Sequence, residues 1–515
     1  MTSIPGGAAA ADRTARFEAL ALTGALILLA AGMLSPGLIV GPSLDAAVFS
    51  HIGGGLLHGV APYAGSWDHK PPGMYVALAA VQAALGWLGP WTAGWLLSVA
   101  TSAGIGLAVA TVLPRHGVVG WPRTLAAGGA TILSSQYLMA LGGGLTEPLA
   151  TLLVAWALAL ADRQPTGMRL VGMGALVGMS IVVSVQAVPG AGVVCGYALM
   201  RQADRERLWG AGLVVLGVAA PLVAATSWLF VIGALPAAID TIVTYSAAYR
   251  AAAGSSGGTL GAPVAAWTAL ASLFLVAPAL IGAMSLVTAR QPRRGLVIAS
   301  LIWIGASLAL FGVQGHFYAH YVIPLAVPLG ILAGVGLGRL GASRAATGPS
   351  ARGAVMAFPL VLALVVSVLA GVVSAGMEIG PVADADAHLA LVAERLRDLP
   401  AGTMLVWGNQ PGLYDLADRA QATRYSYLYP LTTAGYSTPA MVGAVARALA
   451  DHPPAVVVDA GSSGPGQPGF LPLLIDRPIA TDGRDLDLLD PLRAFVGSHY
   501  RLAETVSGWP IYVLR

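Results

Sequence analysis

The sequence predicts a polytopic α-helical membrane protein with about eleven transmembrane helices and a small α/β domain at its C-terminal end. Of the 515 residues, 56% are hydrophobic and only 10% are charged, whereas a soluble domain carries about 25% charged residues. The mean hydropathy is +0.75, and runs long enough to cross a bilayer recur along most of the chain. This composition excludes an ordinary cytosolic enzyme, a secreted disulfide scaffold and a nucleic-acid-binding protein.

Three regions are predicted along the chain. They are a cytoplasmic N-terminal tail (1–16), a transmembrane domain (17–375) and an extracytoplasmic α/β domain (376–515). The first span begins near Phe17 and ends before Gly41-Pro42, a pair that stops helices. This run is longer than the core of a signal peptide, which is about 7–15 residues, so we expect it to remain as a membrane anchor.

The remaining elements follow from the periodicity of the sequence. Ten further apolar runs begin near residues 91, 124, 146, 170, 189, 208, 263, 296, 322 and 354. The apolar segment 73–88 is expected to lie at the outer membrane face or to dip into it, because counting it as a span would break the charge pattern. After Met377 charged residues return, and helix-like and strand-like stretches alternate. We expect helices at 387–399 and 439–450, strands at 402–407 and 455–459, and a closing hairpin over 500–514.

The loop arginines predict the orientation in the membrane. Nearly all of them fall on one side of the predicted spans, and positively charged loops stay cytoplasmic. The N-terminus is therefore expected inside, and an odd number of spans places the C-terminal domain outside the cytoplasmic membrane. In the outer loops of the membrane part, only Lys70 and Arg250 are basic.

The first outer loop (41–90) carries the strongest candidates for chemistry. Ser43 follows the Gly-Pro break and can cap a new helix, which places Asp45 in its first turn. A carboxylate at the membrane boundary can serve as a general base or orient an acceptor. The alternative is a first-turn aspartate that only complements the helix dipole.

Lys70 is the only lysine of the chain, and the other 26 basic residues are arginines. A composition with so strong a bias indicates that this position needs a compact ammonium group rather than a planar guanidinium. At a membrane face the natural partner of such a group is a phosphate oxygen. The alternative is an interfacial lysine without a function.

The loop pattern resembles a known superfamily. An acidic residue after the first span, Gly59-x-x-Pro62-Tyr63, and Trp67-Asp68-His69-Lys70-Pro71-Pro72 are similar to the GT-C polytopic glycosyltransferases. The similarity is to the branch of the protein O-mannosyltransferases and the bacterial lipid A aminoarabinose transferase. Thr146-Glu147-Pro148 and the stretch from His316 to Pro324 resemble later motifs of that branch.

The resemblance implies transfer of a sugar from a polyprenyl-phosphate-linked donor at the extracytoplasmic face, with inversion. Carried onto this sequence, the first-loop carboxylate is Asp45 and the lysine before the prolines is Lys70. His69 stands where the aminoarabinose transferase has a glutamate, and Asp45 lacks the adjacent acidic residue that is common in the family. No cofactor is implied with certainty, and the question of a divalent metal stays open.

Displacement of a polyprenyl phosphate needs a base at the acceptor hydroxyl and cations at the leaving phosphate. Asp45 is expected to supply the base, and Lys70, with Arg250 or a histidine such as His69, the cations. Further candidates lie in the same loop or in later outer loops: Tyr63, Asp68, Glu147, His316, His320 and Tyr321. The expected partners are the donor, an envelope glycan, glycolipid or protein acceptor, and the bilayer.

Several other residues are open to two interpretations or are expected to have no role in the site. The loop 233–261 could order over the donor or only connect two spans. The tyrosines from Tyr425 to Tyr429 could stack on a sugar or pack as core aromatics. His51 is expected to face solvent.

Two other classes of function remain open at this point. A transporter or flippase would explain the many Gly and Pro residues within spans, but it predicts ionisable groups in mid-span. A non-catalytic scaffold would not explain why the chain has a single lysine at this position. The discriminating question is whether Asp45, Lys70, Glu147 and His320 meet at one outer cavity.

Overall fold

The structure is a computed structural model that describes residues 6–164, 166–253, 261–287, 293–314, 318–347, 388–461, 473–474 and 486–515. The helices before the loop 233–261 are α1 (Gly6–Leu34), α2 (Pro36–Val40), α3 (Leu44–Leu57), α4 (Gly73–Leu85), α5 (Pro90–Val112), α6 (Trp121–Ser135), α7 (Tyr137–Ala140), α8 (Thr146–Ala161), α9 (Gly167–Val183), α10 (Val188–Met200) and α11 (Arg207–Val231). They are followed by α12 (Leu235–Ile239), α13 (Ser246–Ala253), α14 (Gly261–Met284), α15 (Arg293–Gln314) and α16 (Ala326–Thr347).

Five of the described helical segments are long and apolar enough to cross a membrane: Arg16–Val40, Trp91–His116, Asp204–Val231, Arg293–Gln314 and Ala319–Gly341. Several apolar helices of 10–17 residues accompany them. Helix α4 has 13 residues and is therefore about 20 Å long, too short for a hydrocarbon core of about 30 Å. Helix α10, in a segment that is expected to cross, also has 13 residues. Helix length therefore does not decide whether segment 73–88 crosses, and its place at the outer face stays a prediction.

The last predicted span and the domain boundary fall outside the described residues. The span expected from about residue 354 and the boundary at 375/376 both lie within 348–387. The total of eleven spans therefore stays a prediction.

Close helix packing in the membrane part depends on small residues. A Cβ on Gly282 of α14 would collide with the carbonyl oxygen of Leu332 in α16, and one on Gly174 of α9 would lie 3.0 Å from the Cα of Gly217 in α11. Such contacts let helix backbones approach closely where the hydrophobic effect gives little drive for association in lipid.

The C-terminal domain contains a four-stranded sheet with strand order β1–β2–β4–β3. Strands β1 (Met404–Trp407) and β2 (Val456–Asp459) pair in parallel, whereas β3 (Tyr500–Val506) and β4 (Trp509–Leu514) form an antiparallel hairpin whose β4 pairs with β2. The helices of this domain are α17 (388–397), α18 (Gly412–Ala417), α19 (Tyr429–Thr432), α20 (Pro439–Asp451) and α21 (Asp490–His499). The helices, strands and hairpin expected here are confirmed, with shifts of one or two residues at most ends.

The C-terminal domain contacts helix α3 through a partly buried polar contact. The Nδ1 atom of His51 lies 2.7 Å from Asp415 Oδ1, and its Nε2 lies 3.0 Å from Gln421 Oε1. Gln421 also donates to the carbonyl oxygen of Gly65 at 2.5 Å. The expectation that His51 faces solvent is therefore wrong. Its side chain is only 13% exposed, because residues more than 360 positions away in the sequence cover it.

The predicted orientation can be tested by labelling with an impermeant thiol reagent. We expect a cysteine at exposed Ala434 in the C-terminal domain to react in intact spheroplasts, and one at exposed Gln164, between α8 and α9, to react only after lysis. Cys195, the single native cysteine, is replaced by alanine in both variants. The reverse pattern of labelling would place the C-terminal domain in the cytoplasm.

Candidate functional site

A half-open cavity of about 330 Å³ lies between helix α3, the first outer loop, the entrance to α16 and the C-terminal domain. Its walls combine acidic, basic and aromatic side chains with a few aliphatic ones: Ser43, Leu44, Asp45, Val48, His69, Lys70, Leu138, Leu141, Tyr249, Tyr318, Ala319, His320, Tyr321, Tyr427 and Tyr429. The cavity thus draws together residues that are far apart in the sequence.

Asp45 lies at the N-terminal end of α3, as expected from the sequence. The Ser43 side chain accepts a hydrogen bond of 3.3 Å from the Ala46 amide and caps the helix. The half-buried carboxylate of Asp45 therefore sits in the first turn, where the helix dipole favours negative charge. The cap holds this carboxylate at the wall of the cavity.

The backbone at Lys70 is held by two tyrosine hydroxyls. The Tyr63 hydroxyl donates to the Lys70 carbonyl oxygen at 2.8 Å. The Tyr75 hydroxyl lies 3.1 Å from the same oxygen and shares its single proton between that oxygen and the Asp68 carboxylate, which lies 2.6 Å away. Tyr63 itself has a φ of +65° and is fully buried, a conformation that costs free energy for a residue with a side chain. This arrangement fixes the loop from which the Lys70 ammonium group reaches the cavity.

Asp68 belongs to the same loop, but its side chain is buried and does not line the cavity. It accepts hydrogen bonds from Tyr75 at 2.6 Å and Tyr427 at 2.8 Å, and His69 Nδ1 lies 3.3 Å away. Burial alone would raise the pKa of Asp68, but His69 and the two hydroxyls outweigh it and hold the pKa at about 2. The stabilisation from this lowered pKa is present above about pH 4 and is lost as the pH falls towards 2. Asp68 is therefore a buried, ionised anchor of the loop.

Acidic and phenolic groups surround the single lysine. Burial by itself would lower the pKa of Lys70, but Tyr321, Asp45 and the buried Glu147 with Asp68 outweigh burial and raise it. Glu147 does not line the cavity; it is 2% exposed in the first turn of α8 and acts on Lys70 from behind. The ammonium group is therefore charged at every pH near neutrality.

Aromatic side chains form the wall of the cavity at the entrance to α16. The rings of Tyr318 and His320 stack with 5.4 Å between centroids, and the ring of Tyr321 packs edge-on against His320 at 4.8 Å. The hydroxyl of Tyr318 lies 2.8 Å from that of Tyr249 on α13. The described part of the loop 233–261 is largely helical. One of its residues, Tyr249, joins the cavity wall.

Four of the predicted site residues do not line the cavity: Tyr63, Asp68, Glu147 and Arg250. Arg250 is exposed on α13, where its Nε donates to the Ser246 carbonyl oxygen at 3.2 Å, and it does not line the cavity. His316 lies outside the described residues. Within the described ranges, no group of three or more His, Cys, Asp or Glu side chains could hold a metal ion.

Some residues that line the cavity were not assigned to the site from the sequence. Leu138 and Leu141 enter the cavity wall from the turn around α7, and no local pattern marks them. Tyr427 and Tyr429 come from the C-terminal domain. The density of tyrosines there gave a signal, but only the folded chain shows that these two line the cavity.

A second cavity of about 380 Å³ lies beside Ala46 and Ser50 of α3 and has a wall of glycines that includes Gly142, Gly143 and Gly144. Gly144 has a φ of +83°, and a Cβ there would lie 2.8 Å from the Cβ of Ala46, the residue after Asp45. This glycine allows α3 to approach the segment that leads into Glu147.

Gly144→Ala should therefore lower the free energy of unfolding by about 1–3 kcal/mol, from backbone strain and overpacking. The measurement is thermal or denaturant unfolding of the detergent-solubilised protein. Gly192→Ala is the matched control, since nothing lies within 4 Å of a Cβ at that helical position. Equal stability of the two variants would show that α3 tolerates displacement.

Comparison with known proteins relates the architecture to solved structures. The chain matches no protein-family model and no curated protein. Among solved structures, ArnT from Cupriavidus metallidurans bound to undecaprenyl phosphate is similar with a TM-score of 0.55 at 16% identity, over 95% of this chain and 98% of that one. Its apo state gives the same TM-score at 14% identity, over 96% and 98% of the two chains.

A larger protein shares the same architecture. The mycobacterial arabinofuranosyltransferase AftD is similar with a TM-score of 0.52 at 15% identity. The match covers 97% of this chain but only 40% of AftD. At these identities the likeness concerns the fold.

Proposed function

We propose, on the premise that this chain is a polytopic membrane protein with the GT-C fold, that it is a membrane glycosyltransferase. It moves a sugar from a polyprenyl-phosphate-linked donor to an envelope polysaccharide, glycolipid or protein. The reaction takes place at the outer face of the cytoplasmic membrane, where the C-terminal domain covers the first outer loop.

The observation that carries this proposal is the pairing of opposite charges at one cavity. The Asp45 carboxylate and the Lys70 ammonium group both line it, together with His69 and His320. A group transfer from a phosphate needs a proton acceptor on one side of the reacting carbon and a cation on the other. The similar ArnT structure is bound to undecaprenyl phosphate, a ligand of the class that we propose for this cavity.

The proposed chemistry follows from these positions. The Asp45 carboxylate accepts the proton of the acceptor hydroxyl while the acceptor oxygen attacks the anomeric carbon of the donor. The bond from that carbon to the phosphate oxygen breaks with inversion, and polyprenyl phosphate leaves with both bonding electrons. Lys70, assisted by His69, stabilises the charge that develops on the phosphate.

The aromatic wall is proposed to bind the donor. Tyr321, with Tyr249 and His320, offers ring faces and hydroxyl groups to the sugar and the phosphate. Glu147 contributes, after Tyr321 and Asp45, to the raised pKa of Lys70, whereas Asp68 and Tyr63 act on the loop rather than on the ligand. Arg250 has no role in this scheme unless α13 moves. The role predicted for His316 rests on the sequence alone.

The placement of the ionisable groups disfavours the transporter. Asp45, Lys70, Glu147 and His320 lie in loops or at helix ends around the cavity. Transport through the membrane predicts such groups in mid-span instead.

The test uses the purified full-length protein with undecaprenyl phosphate and a synthetic polyprenyl-phosphate sugar. Saturable binding of undecaprenyl phosphate and its release during transfer to envelope extract would support the proposal. Mass spectrometry of envelope glycans from a deletion strain then identifies the missing sugar. An envelope unchanged in the deletion strain, together with no binding by the purified protein, would contradict it.

A further inference from the structure

We propose that Tyr427 of the C-terminal α/β domain positions Lys70 by holding the carboxylate of Asp68, so that this domain completes the active site. The inference rests on the proposed function for the nature of the ligand. The contacts that carry it do not depend on that function.

The first step is the sharing of one buried carboxylate between two parts of the chain. Asp68 is 2% exposed, and its oxygens accept from Tyr75 of the membrane part at 2.6 Å and from Tyr427 of the C-terminal domain at 2.8 Å. A buried carboxylate that loses one of its donors is strongly destabilised, since no water replaces the hydrogen bond. Asp68 can therefore keep its place only while the C-terminal domain is docked.

The second step leads from Asp68 to Lys70. The Tyr75 hydroxyl lies within hydrogen-bond distance of both the Asp68 carboxylate and the Lys70 carbonyl oxygen, at 2.6 Å and 3.1 Å. A shift of the carboxylate therefore displaces the same hydroxyl that holds the Lys70 backbone. In this way the hydroxyl of Tyr427 acts on Lys70 through Asp68 and Tyr75.

The third step is the rigidity of the contact. The ring of Trp67, next to Asp68, packs edge-on against Tyr245 at 4.6 Å and Tyr427 at 5.5 Å between ring centroids. The backbone amide of Trp67 donates to the Arg424 carbonyl oxygen at 2.7 Å. Edge-to-face aromatic packing stabilises defined orientations, so the Tyr427 hydroxyl meets Asp68 in one geometry.

Tyr427→Phe tests the inference because the ring also lines the cavity and phenylalanine preserves that wall. Lys70 is the only lysine, so isotope-labelled lysine in the growth medium labels this residue alone. We expect Tyr427→Phe to shift the backbone and side-chain NMR signals of Lys70 in the full-length protein. Tyr500→Phe, the control, removes another buried hydroxyl of the same domain, one that donates to the Pro454 carbonyl oxygen at 2.7 Å, and should leave the Lys70 signals in place.

Unchanged Lys70 signals in Tyr427→Phe would overturn the inference. Asp68→Asn provides a second route if Tyr427→Phe folds poorly, because it removes the charge at the same point and should also shift the signals. Lys70 signals that stay in place in Asp68→Asn would overturn the inference as well.

Ligand binding supplies a readout that a loss of stability does not reproduce. Loss of one hydrogen bond to a charged group should weaken binding of undecaprenyl phosphate about ten-fold in Tyr427→Phe. In a Lys70→Met background the same change should cause no further loss, since Tyr427 acts through Lys70. Fully additive losses would contradict the inference.

The two proposals fail in different ways. If the wild-type protein does not bind undecaprenyl phosphate and the envelope of the deletion strain is unchanged, the proposed function is contradicted, and the Lys70 signals alone decide the role of Tyr427. If the wild-type protein binds it and Tyr427→Phe binds it equally well, the proposed function stands and the inference fails.

Discussion

Replacing Asp45 by asparagine is expected to reduce sugar transfer by about 10²–10⁴-fold, the usual contribution of a general base. The amide keeps the size of the side chain but cannot accept the proton of the acceptor hydroxyl. The helix cap from Ser43 to the Ala46 amide does not involve the Asp45 side chain, so the fold should persist. The assay follows turnover of a synthetic polyprenyl-phosphate sugar by the purified protein.

A matched control separates catalysis from helix stabilisation. Asp490 also lies in the first turn of a helix, α21, and does not line the cavity. Asp490→Asn should lose a similar dipole contribution of about 0.3–1 kcal/mol together with an exposed ion pair to Arg493 at 3.3 Å, and should keep full turnover. Near-normal turnover in Asp45→Asn would remove Asp45 from the mechanism, whereas equal losses in both variants would point to stability.

Replacing Lys70 by methionine is the second change with a large expected effect. The leaving phosphate would lose a charge-assisted hydrogen bond worth about 1.5–3 kcal/mol, which corresponds to a roughly ten- to hundred-fold loss of kcat/KM. Methionine has a similar length, and the hydroxyls of Tyr63 and Tyr75 bind the backbone carbonyl of residue 70 rather than its side chain. The loop should therefore keep its conformation.

Lys70→Arg distinguishes a general need for charge from a need for a compact ammonium group. Arginine keeps the charge, but its longer planar fork has to fit among Tyr321, Asp45 and Glu147. We expect activity between those of the wild type and Lys70→Met. An arginine variant as active as the wild type would mean that the identity of this lysine has no functional reason.

The pH dependence of donor binding gives an independent check on Lys70. The surrounding negative groups raise the pKa of Lys70 above its ordinary value, which is about 10.4. A phosphodiester donor is also charged throughout this range, so binding should stay constant from about pH 6 to about pH 9. A fall in affinity in that interval would mean that a group other than Lys70 controls donor binding.

Local rules were sufficient to predict much of this protein. The membrane class follows from composition, and the elements of the C-terminal domain follow from periodicity, because each depends on neighbours within a few positions. The cap at Ser43, and with it the place of Asp45 in the first turn of α3, also comes from adjacent residues. The count of lysines singled out Lys70 without any knowledge of its surroundings.

Contacts between distant residues were decided only by the tertiary structure. Tyr427 and Asp68 are 359 positions apart, and His51 and Asp415 are 364 apart, so no local pattern could pair them. Arg250 shares its charge and its predicted face of the membrane with Lys70, yet α13 directs it away from the cavity. Charge and spacing in a sequence identify the groups that are available. Helix packing and domain docking determine which of them meet, because the free energy of those contacts comes from burial and shape across the whole fold.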